Sequence, residues 1–305
     1  MNVLNWSGVL VAAALLVVPL WILLGNSAVL TGHPALPALL MAAAAFGFLW
    51  ACAGLRRWRR QRPVSRWLLL RSVAARCAAL GLVAALAWLS PFPYQPSGAD
   101  RRSNASFAED ATSITLAPEG KATAGLVFYP GARVDAHAYR DILGPLADAG
   151  YLVIILKEPL GISLLDSSQA RRAMDNHPDT ATWTVGGHSL GGVSASSFAS
   201  ANSDVTGLLL FASYPAGNMT DSTGLSVCSI VGSRDGLSSQ DKIAASKRLL
   251  PARTEYVVVE GGVHAFFGDY GEQPGDGEPG ISREEAQRHI VAAALRFLDG
   301  VADAR

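Results

Sequence analysis

The run Gly186, Gly187, His188, Ser189, Leu190, Gly191, Gly192 contains the pentapeptide G-x-S-x-G and follows the strand-like segment TWTV. Serine is a poor nucleophile until a neutral imidazole takes its proton, and that imidazole must be held in the right tautomer by a carboxylate. In a chain with 30 glycines the bare pentapeptide is a weak signal. Its setting says more. A nucleophile on a sharp strand-to-helix turn needs a strained backbone and no bulk two residues to either side, which Gly187 and Gly191 provide. The following VSASSFAS predicts a small-residue helix able to pack closely on a sheet.

Partners for such a serine follow it in the order acid, then histidine, each just beyond the C-terminal end of a later strand. The strand-like LSVCSIVG is followed by Ser233, Arg234, Asp235 and Gly236, which makes Asp235 the candidate acid; Asp221 and Asp241 directly follow no strand. The next such run, EYVVVE, leads into Gly261, Gly262, Val263 and His264. Of the six histidines, His33 lies in an apolar N-terminal region, His137 and His177 precede the nucleophile, His188 is fixed beside it, and His289 falls in the last helical stretch. His264 is therefore the candidate general base and then general acid. Activity dependent on it falls on the acid side, because a protonated imidazole takes no further proton.

Negative charge developing on an attacked carbonyl oxygen needs backbone N–H donors, usually from the residue after the nucleophile and from the loop after an early strand. Leu190 supplies the first. For the second, Tyr129, Pro130, Gly131, Ala132 and Arg133 follow the strand LVFY; Pro130 has no N–H and Gly131 permits the turn, which leaves Ala132. Arg133 is a candidate contact for an acidic substrate group, with a solvated surface arginine as the plain alternative.

The elements that must position these residues are legible from about Thr112 onward. Short apolar runs alternate with amphipathic stretches: Leu126 to Tyr129 then Ala138 to Ala149, Leu152 to Leu156 then a stretch around Arg171, Thr182 to Val185 then Gly192 to Ala201. Leu208 to Phe211, Val227 to Val231, Lys242 to Leu250, Tyr256 to Val259 and Arg283 to Leu298 continue the series. Such alternation predicts an α/β fold, a parallel sheet covered by helices on both faces.

Together, YPGARVD, GHSLGG, GSRDG and HAFFGDYGEQPGDG resemble the α/β-hydrolase superfamily, more narrowly its capless dienelactone-hydrolase-like branch and the group called α/β-hydrolase family 5. The resemblance covers roughly Gly125 to Leu298. It implies an eight-stranded, mostly parallel sheet and a triad of Ser189, Asp235 and His264, with no cofactor and no metal. Relatives of this kind often carry Asn before the histidine and Gln two residues after it, where Val263 and Phe266 stand here. About a dozen residues separate the strand ending near Ala212 from the one starting at Leu225, too few for an inserted lid, so an open site for small or accessible acyl groups is expected. The acidic loop with Asp269, Glu272, Asp276 and Glu278 lacks the spacing of an EF-hand and reads as a solvated loop.

The 305-residue chain as a whole is 50% hydrophobic and 16% charged, against a globular norm of about 25% charged. Its zero net charge hides a split. Residues 1–99 carry eight Arg and no acid, whereas residues 100–305 carry 17 basic and 25 acidic groups, a net −8. Trp6 to Leu24 and Ala35 to Leu55 are uncharged and close to the roughly 20 residues that cross about 30 Å of hydrocarbon. No basic start or small-residue cleavage site marks the first as a secretory signal. Arg56, Arg57, Arg59, Arg60, Arg62 and Arg66 follow the second run, while the loop from Gly25 to Pro34 has no Lys or Arg; positive-inside bias puts the Arg loop and the N-terminus in the cytoplasm. Flanked by apolar runs, that loop suits anionic lipid headgroups rather than nucleic acid.

A third span, Trp67 to Ser90, is interrupted by Arg71 and Arg76. The 14 residues from Cys77 to Ser90 rise about 21 Å, which puts Arg76 about 9 Å inside the inner boundary, a depth a snorkelling guanidinium nearly covers. Three spans place everything after Ser90 outside the cytoplasm; two would leave it inside. The expected organisation is a membrane anchor over 1–90, a Pro- and Ser-rich linker over 91–110 and a hydrolase domain over 111–305. The corresponding function is a membrane-anchored serine hydrolase of small acyl esters or thioesters, with an acyltransferase using the same triad, or a non-catalytic membrane sensor, as alternatives. The three cysteines exclude a disulfide-stapled scaffold.

Overall fold

The computed structural model describes residues 3–60, 66–96, 103–122 and 124–304. By internal contacts the chain divides into two compact units, Met1–Pro91 and Phe92–Arg305.

The first unit consists of α1 (Val3–Gly25), the short α2 (Ala28–Thr31), α3 (Ala35–Arg60) and α4 (Arg66–Trp88). Three segments of it, Trp6–Gly25, Ala35–Arg56 and Arg66–Trp88, are long and apolar enough to span a membrane. In lipid, helices gain little from hydrophobicity and associate where small residues let backbones approach. Gly47 of α3 is such a point: a Cβ there would stand 2.8 Å from Leu15 Cβ and 2.9 Å from the Leu15 carbonyl carbon, and Leu15 is fully buried. The Arg76 guanidinium lies beside Gly8, its Nη2 3.4 Å from where a Cβ would be, so it reaches toward the starting end of α1. At the other end the Asn26 side chain donates to the Pro91 carbonyl at 2.8 Å. Arg62 of the basic loop lies outside the described residues.

The second unit is built on one sheet of β1 (Ser106–Glu109), β2 (Ser113–Ala117), β3 (Ala124–Tyr129), β4 (Tyr151–Leu156), β5 (Trp183–His188), β6 (Val205–Phe211), β7 (Ser226–Gly232) and β8 (Glu255–Val259). The order is β1-β2-β4-β3-β5-β6-β7-β8; β2 pairs antiparallel with both β1 and β4, and every other pairing is parallel. β3, β4 and β5 are buried along their whole length, as strands covered on both faces must be. On one face Val153 and Ile155 pack with α5 (Arg140–Asp148) and the C-terminal α9 (Arg283–Asp303). On the other, Leu152, Ile154 and Leu156 pack with α6 (Gln169–Asp175) and α7 (Leu190–Ala201). The small α8 (Gln240–Ser246) follows β7. These are the elements of the α/β-hydrolase fold.

The stretch 91–110, expected as a linker, is structured at both ends; its residues 97–102 lie outside the described residues. Phe92 bridges to Val134, Gln95 donates its N–H to the Asp269 carbonyl at 2.7 Å, and Ser106–Glu109 adds an antiparallel edge strand. Phe92 and Tyr94 are the apolar anchors that Pro-rich composition conceals, since both pack against the sheet's core.

Candidate active site

Ser189 joins β5 to α7 with φ 53° and ψ −122°, a left-handed conformation that costs a non-glycine residue about 1–3 kcal/mol. Three backbone hydrogen bonds hold it there. Its N–H donates to the Phe211 carbonyl at 3.0 Å, and its carbonyl accepts from Gly192 N–H at 3.1 Å and from Ser213 Oγ at 2.6 Å. The glycines around it are steric requirements. A Cβ on Gly187 would collide with the backbone of Gly191, and one on Gly191 with the carbonyl oxygens of Tyr129 and Pro130. The turn after β3 is thus pressed backbone to backbone onto the start of α7. Ser189 and Leu190 remain partly exposed within this packing.

The structure brings Asp235 and His264 together. Asp235 Oδ2 accepts from His264 Nδ1 at 2.8 Å, with both side chains fully buried. Asp235 Oδ1 accepts the N–H groups of Leu237 at 2.8 Å and Ser238 at 2.6 Å, so the carboxylate is fixed at both oxygens. Nε2 of His264 is buried and makes no hydrogen bond to protein, Ser189 Oγ included, which leaves that nitrogen uncommitted. Asp221 and Asp241 are not in this cluster.

At the turn after β3, Gly131 donates its N–H to Tyr139 Oη at 2.8 Å and Arg133 donates to the Gly161 carbonyl at 2.7 Å. The N–H of Ala132, between them, meets no protein acceptor among the described residues. Leu190 heads α7, where the first N–H groups of any helix lack intrahelical partners. Arg133 has φ 60°, and its guanidinium lies over the Phe92 ring, 5.0 Å from the centroid, so its cationic head is engaged by an aromatic face. Burial lowers its pKa.

Sequence reasoning missed a second histidine shell. His188 is fully buried; its Nδ1 hydrogen-bonds Tyr139 Oη at 2.9 Å, its ring lies 4.5 Å from that of His264, and it stacks on Phe267. Burial, and then the nearby His264, hold its pKa well below the usual imidazole value, so it is neutral. A Cβ on Gly131 would stand 2.8 Å from His188 Nδ1, which is why that turn position has no side chain. Glu158, two residues beyond β4, was also missed. It is buried with both carboxylate oxygens unpartnered, and burial pushes its pKa well above the usual range, favouring the protonated form. Cys228 lies buried in β7 with its thiol pushed up to about 12, foremost by burial, and is no nucleophile.

The acidic Gly-rich loop is not the solvated loop its composition suggests. Asp269 is buried and accepts from Gln287 Nε2 at 3.0 Å, and Asp276 accepts four backbone N–H groups; only Glu272 and Glu278 are exposed. Arg283 donates to the carbonyls of Ala265, Gly268 and Gly271 and lies over Phe266, tying the histidine loop to α9.

The model of the alpha/beta hydrolase family matches residues 125–288, from β3 into α9. The chain belongs to that family. Only residues 212–225 separate β6 from β7, too few for an inserted lid domain there. Among solved structures, TT1662 from Thermus thermophilus is similar at 16% identity and TM-score 0.49, over 66% of this chain and all of that one. The esterase domain of a Rhodothermus marinus protein is similar at 14% identity and TM-score 0.45, over 61% of this chain and 92% of that one. No curated protein matches the sequence.

Proposed function

We propose that this alpha/beta hydrolase is a serine hydrolase that cleaves a small acyl ester or thioester through an acyl-enzyme on Ser189. The observation that carries this is the buried His264–Asp235 pair on the two strand-following loops, whose Nε2 is uncommitted, in a chain whose Ser189 sits on a strained strand-to-helix turn. Ser189 Oγ attacks the acyl carbonyl while its proton passes to His264 Nε2, and Asp235 stabilises the imidazolium through Nδ1. The N–H groups of Leu190 and Ala132 receive the oxyanion. Collapse expels the alcohol or thiol, which takes the proton from His264, and water then repeats the sequence to free the acid. Arg133 borders this cleft as a contact for an acidic group on the substrate.

The three apolar helices serve as a membrane anchor, and the positive-inside bias of the Arg loop puts the hydrolase unit on the extracytoplasmic side. A reporter active only outside the cytoplasm, fused after Arg305, tests the sidedness; a silent reporter beside a fluorescent cytoplasmic fusion overturns it.

The catalytic test is labelling of the full-length protein in detergent by a fluorophosphonate probe. Wild type is expected to label and Ser189→Ala not to; persistent labelling of the alanine variant would discard Ser189. Asp235→Asn should lower kcat by about four orders of magnitude, the loss associated with a wrongly held tautomer.

A further inference from the structure

Both loops that carry the proposed acid and base converge on one further carboxylate. Asp276 Oδ1 accepts the N–H of His264 at 3.0 Å, of Gly236 at 3.2 Å and of Gly277 at 2.8 Å, and Oδ2 accepts the N–H of Ala265 at 2.8 Å. Gly236 directly follows Asp235. His264 is consequently held twice, by its ring through Asp235 and by its own backbone through Asp276. The same carboxylate fixes the residue next to the acid, so one group sets the separation of the two loops.

Glycines make that convergence possible. A Cβ on Gly236 would lie 2.5 Å from the Gly275 carbonyl oxygen and 2.9 Å from the Asp276 carbonyl carbon, and one on Gly277 would collide with the Arg234 carbonyl oxygen. The acid loop and the segment 275–277 therefore touch backbone to backbone, close enough for a short carboxylate to reach both. Hydrogen bonds from N–H groups to an ionised acceptor are about twice as strong as neutral ones, and four of them on one side chain define its position closely.

We infer that Asp276 is a positioning residue: it fixes the Asp235 and His264 loops against each other so that Nε2 faces the Ser189 hydroxyl. This rests on the triad proposed above. Misplacing a catalytic group by about 1 Å costs on the order of a hundredfold in rate, and that is the scale on which Asp276 acts.

The test uses the full-length protein in detergent with p-nitrophenyl acetate, active sites being counted by fluorophosphonate titration so that kcat is expressed per competent serine. Asp276→Asn keeps one oxygen for the His264 and Gly236 N–H groups and should lose about tenfold in kcat; Asp276→Ala keeps none and should lose about a hundredfold, both with KM within about twofold of wild type. Glu272→Ala and Glu278→Ala, on exposed acids of the same loop, should leave kcat unchanged. Fewer titratable sites with normal turnover per site would show that Asp276 serves folding alone and would overturn the inference, as would equal losses in the Glu272 or Glu278 variants. Should Asp276→Ala not fold, the asparagine variant decides by the same criterion. Absence of labelling at Ser189 in wild type would overturn the triad and this inference together, whereas normal labelling with unchanged turnover in the Asp276 variants overturns the inference alone.

Discussion

The phenol of Tyr139 stands 2.9 Å from Nδ1 of His188 and at the same time accepts the N–H of Gly131 at 2.8 Å, linking the residue before Ser189 to the turn after β3. All three groups are buried. Burial also raises the Tyr139 pKa well above the ordinary phenol value, so the hydroxyl keeps its proton across the working pH range. The turn that presents Ala132 is thereby tied to the elbow that presents Ser189.

Tyr139→Phe deletes that oxygen and strands a buried N–H at Gly131. An unsatisfied buried donor costs about 1–3 kcal/mol, so denaturant unfolding should show a loss of that size. Turnover should fall about tenfold with KM little changed, short of the 10²–10³ lost when an oxyanion donor itself is removed. Unchanged turnover in a destabilised protein would separate the phenol from the oxyanion role proposed for that turn.

Glycine substitutions give a steric contrast. At Gly191 an added methyl meets the carbonyl oxygens of Tyr129 and Pro130, backbone atoms with no room to yield, whereas Gly217 and Gly224 have open space around them. Gly191→Ala should lose about 1–3 kcal/mol or more of stability together with fluorophosphonate labelling, and Gly217→Ala and Gly224→Ala should stay within about 0.5 kcal/mol of wild type. Retained labelling in Gly191→Ala would contradict the packing described for the elbow.

What the sequence disclosed and what it concealed divide along physical lines. The alternation of apolar runs with amphipathic stretches marks β3 to β7 because these strands are almost wholly buried and their helices present one apolar face, and it marks the largely uncovered β8 by its apolar composition alone. Ser189, Asp235 and His264 stand out because each follows a strand in a fixed order. Asp276 does not, because a carboxylate satisfied by backbone N–H groups has the same composition as a solvated one in a Gly-rich loop. Tyr139 and His188 are 49 residues apart in the chain and meet only through the parallel pairing of β3 with β5. Glu158 sits in a segment, LKEPLG, whose charges read as surface, yet Lys157 and Glu158 are both buried. Edge strand β1 has all four residues exposed and so lacks the half-buried alternation that marks a strand.

His137 joins three parts of the hydrolase unit. Its Nδ1 lies 2.9 Å from Asp135 Oδ1, its Nε2 lies 3.3 Å from Glu109 on β1, and Glu109 in turn pairs with Lys157 Nζ at 2.6 Å. The hydrogen bond to Asp135, then the charges of Asp135 and Glu109, raise the His137 pKa above 6.5 against the opposing effect of burial. The folded state therefore binds this proton more tightly than the unfolded chain. That stabilisation is fully present below the unfolded value and is lost as pH rises through the folded one. Accordingly, His137→Gln should destabilise most near pH 6 and least near about pH 9 in parallel urea titrations. A difference that is flat with pH would show that the ion pairs are not what His137 contributes.

Glu158 makes the opposite use of a proton. Desolvation alone raises its pKa, and neither oxygen has a partner. The unfolded chain loses this proton near pH 4.5 while the folded protein retains it, so folding becomes progressively less favourable as pH climbs above 4.5. Each pH unit between the two values costs about 1.4 kcal/mol. Glu158→Gln keeps the shape and removes the titration, so the variant should match wild type near pH 4.5 and gain on it steadily toward alkaline pH in thermal unfolding. The turn 158–161 also supplies the Gly161 carbonyl that holds Arg133 N–H, so forced ionisation of Glu158 would disturb the turn carrying Ala132, the proposed oxyanion donor, as well as stability. Wild-type turnover should then show an alkaline decline that Glu158→Gln lacks. A variant that tracks wild type in both melting temperature and alkaline turnover would place the Glu158 carboxyl in contact with water.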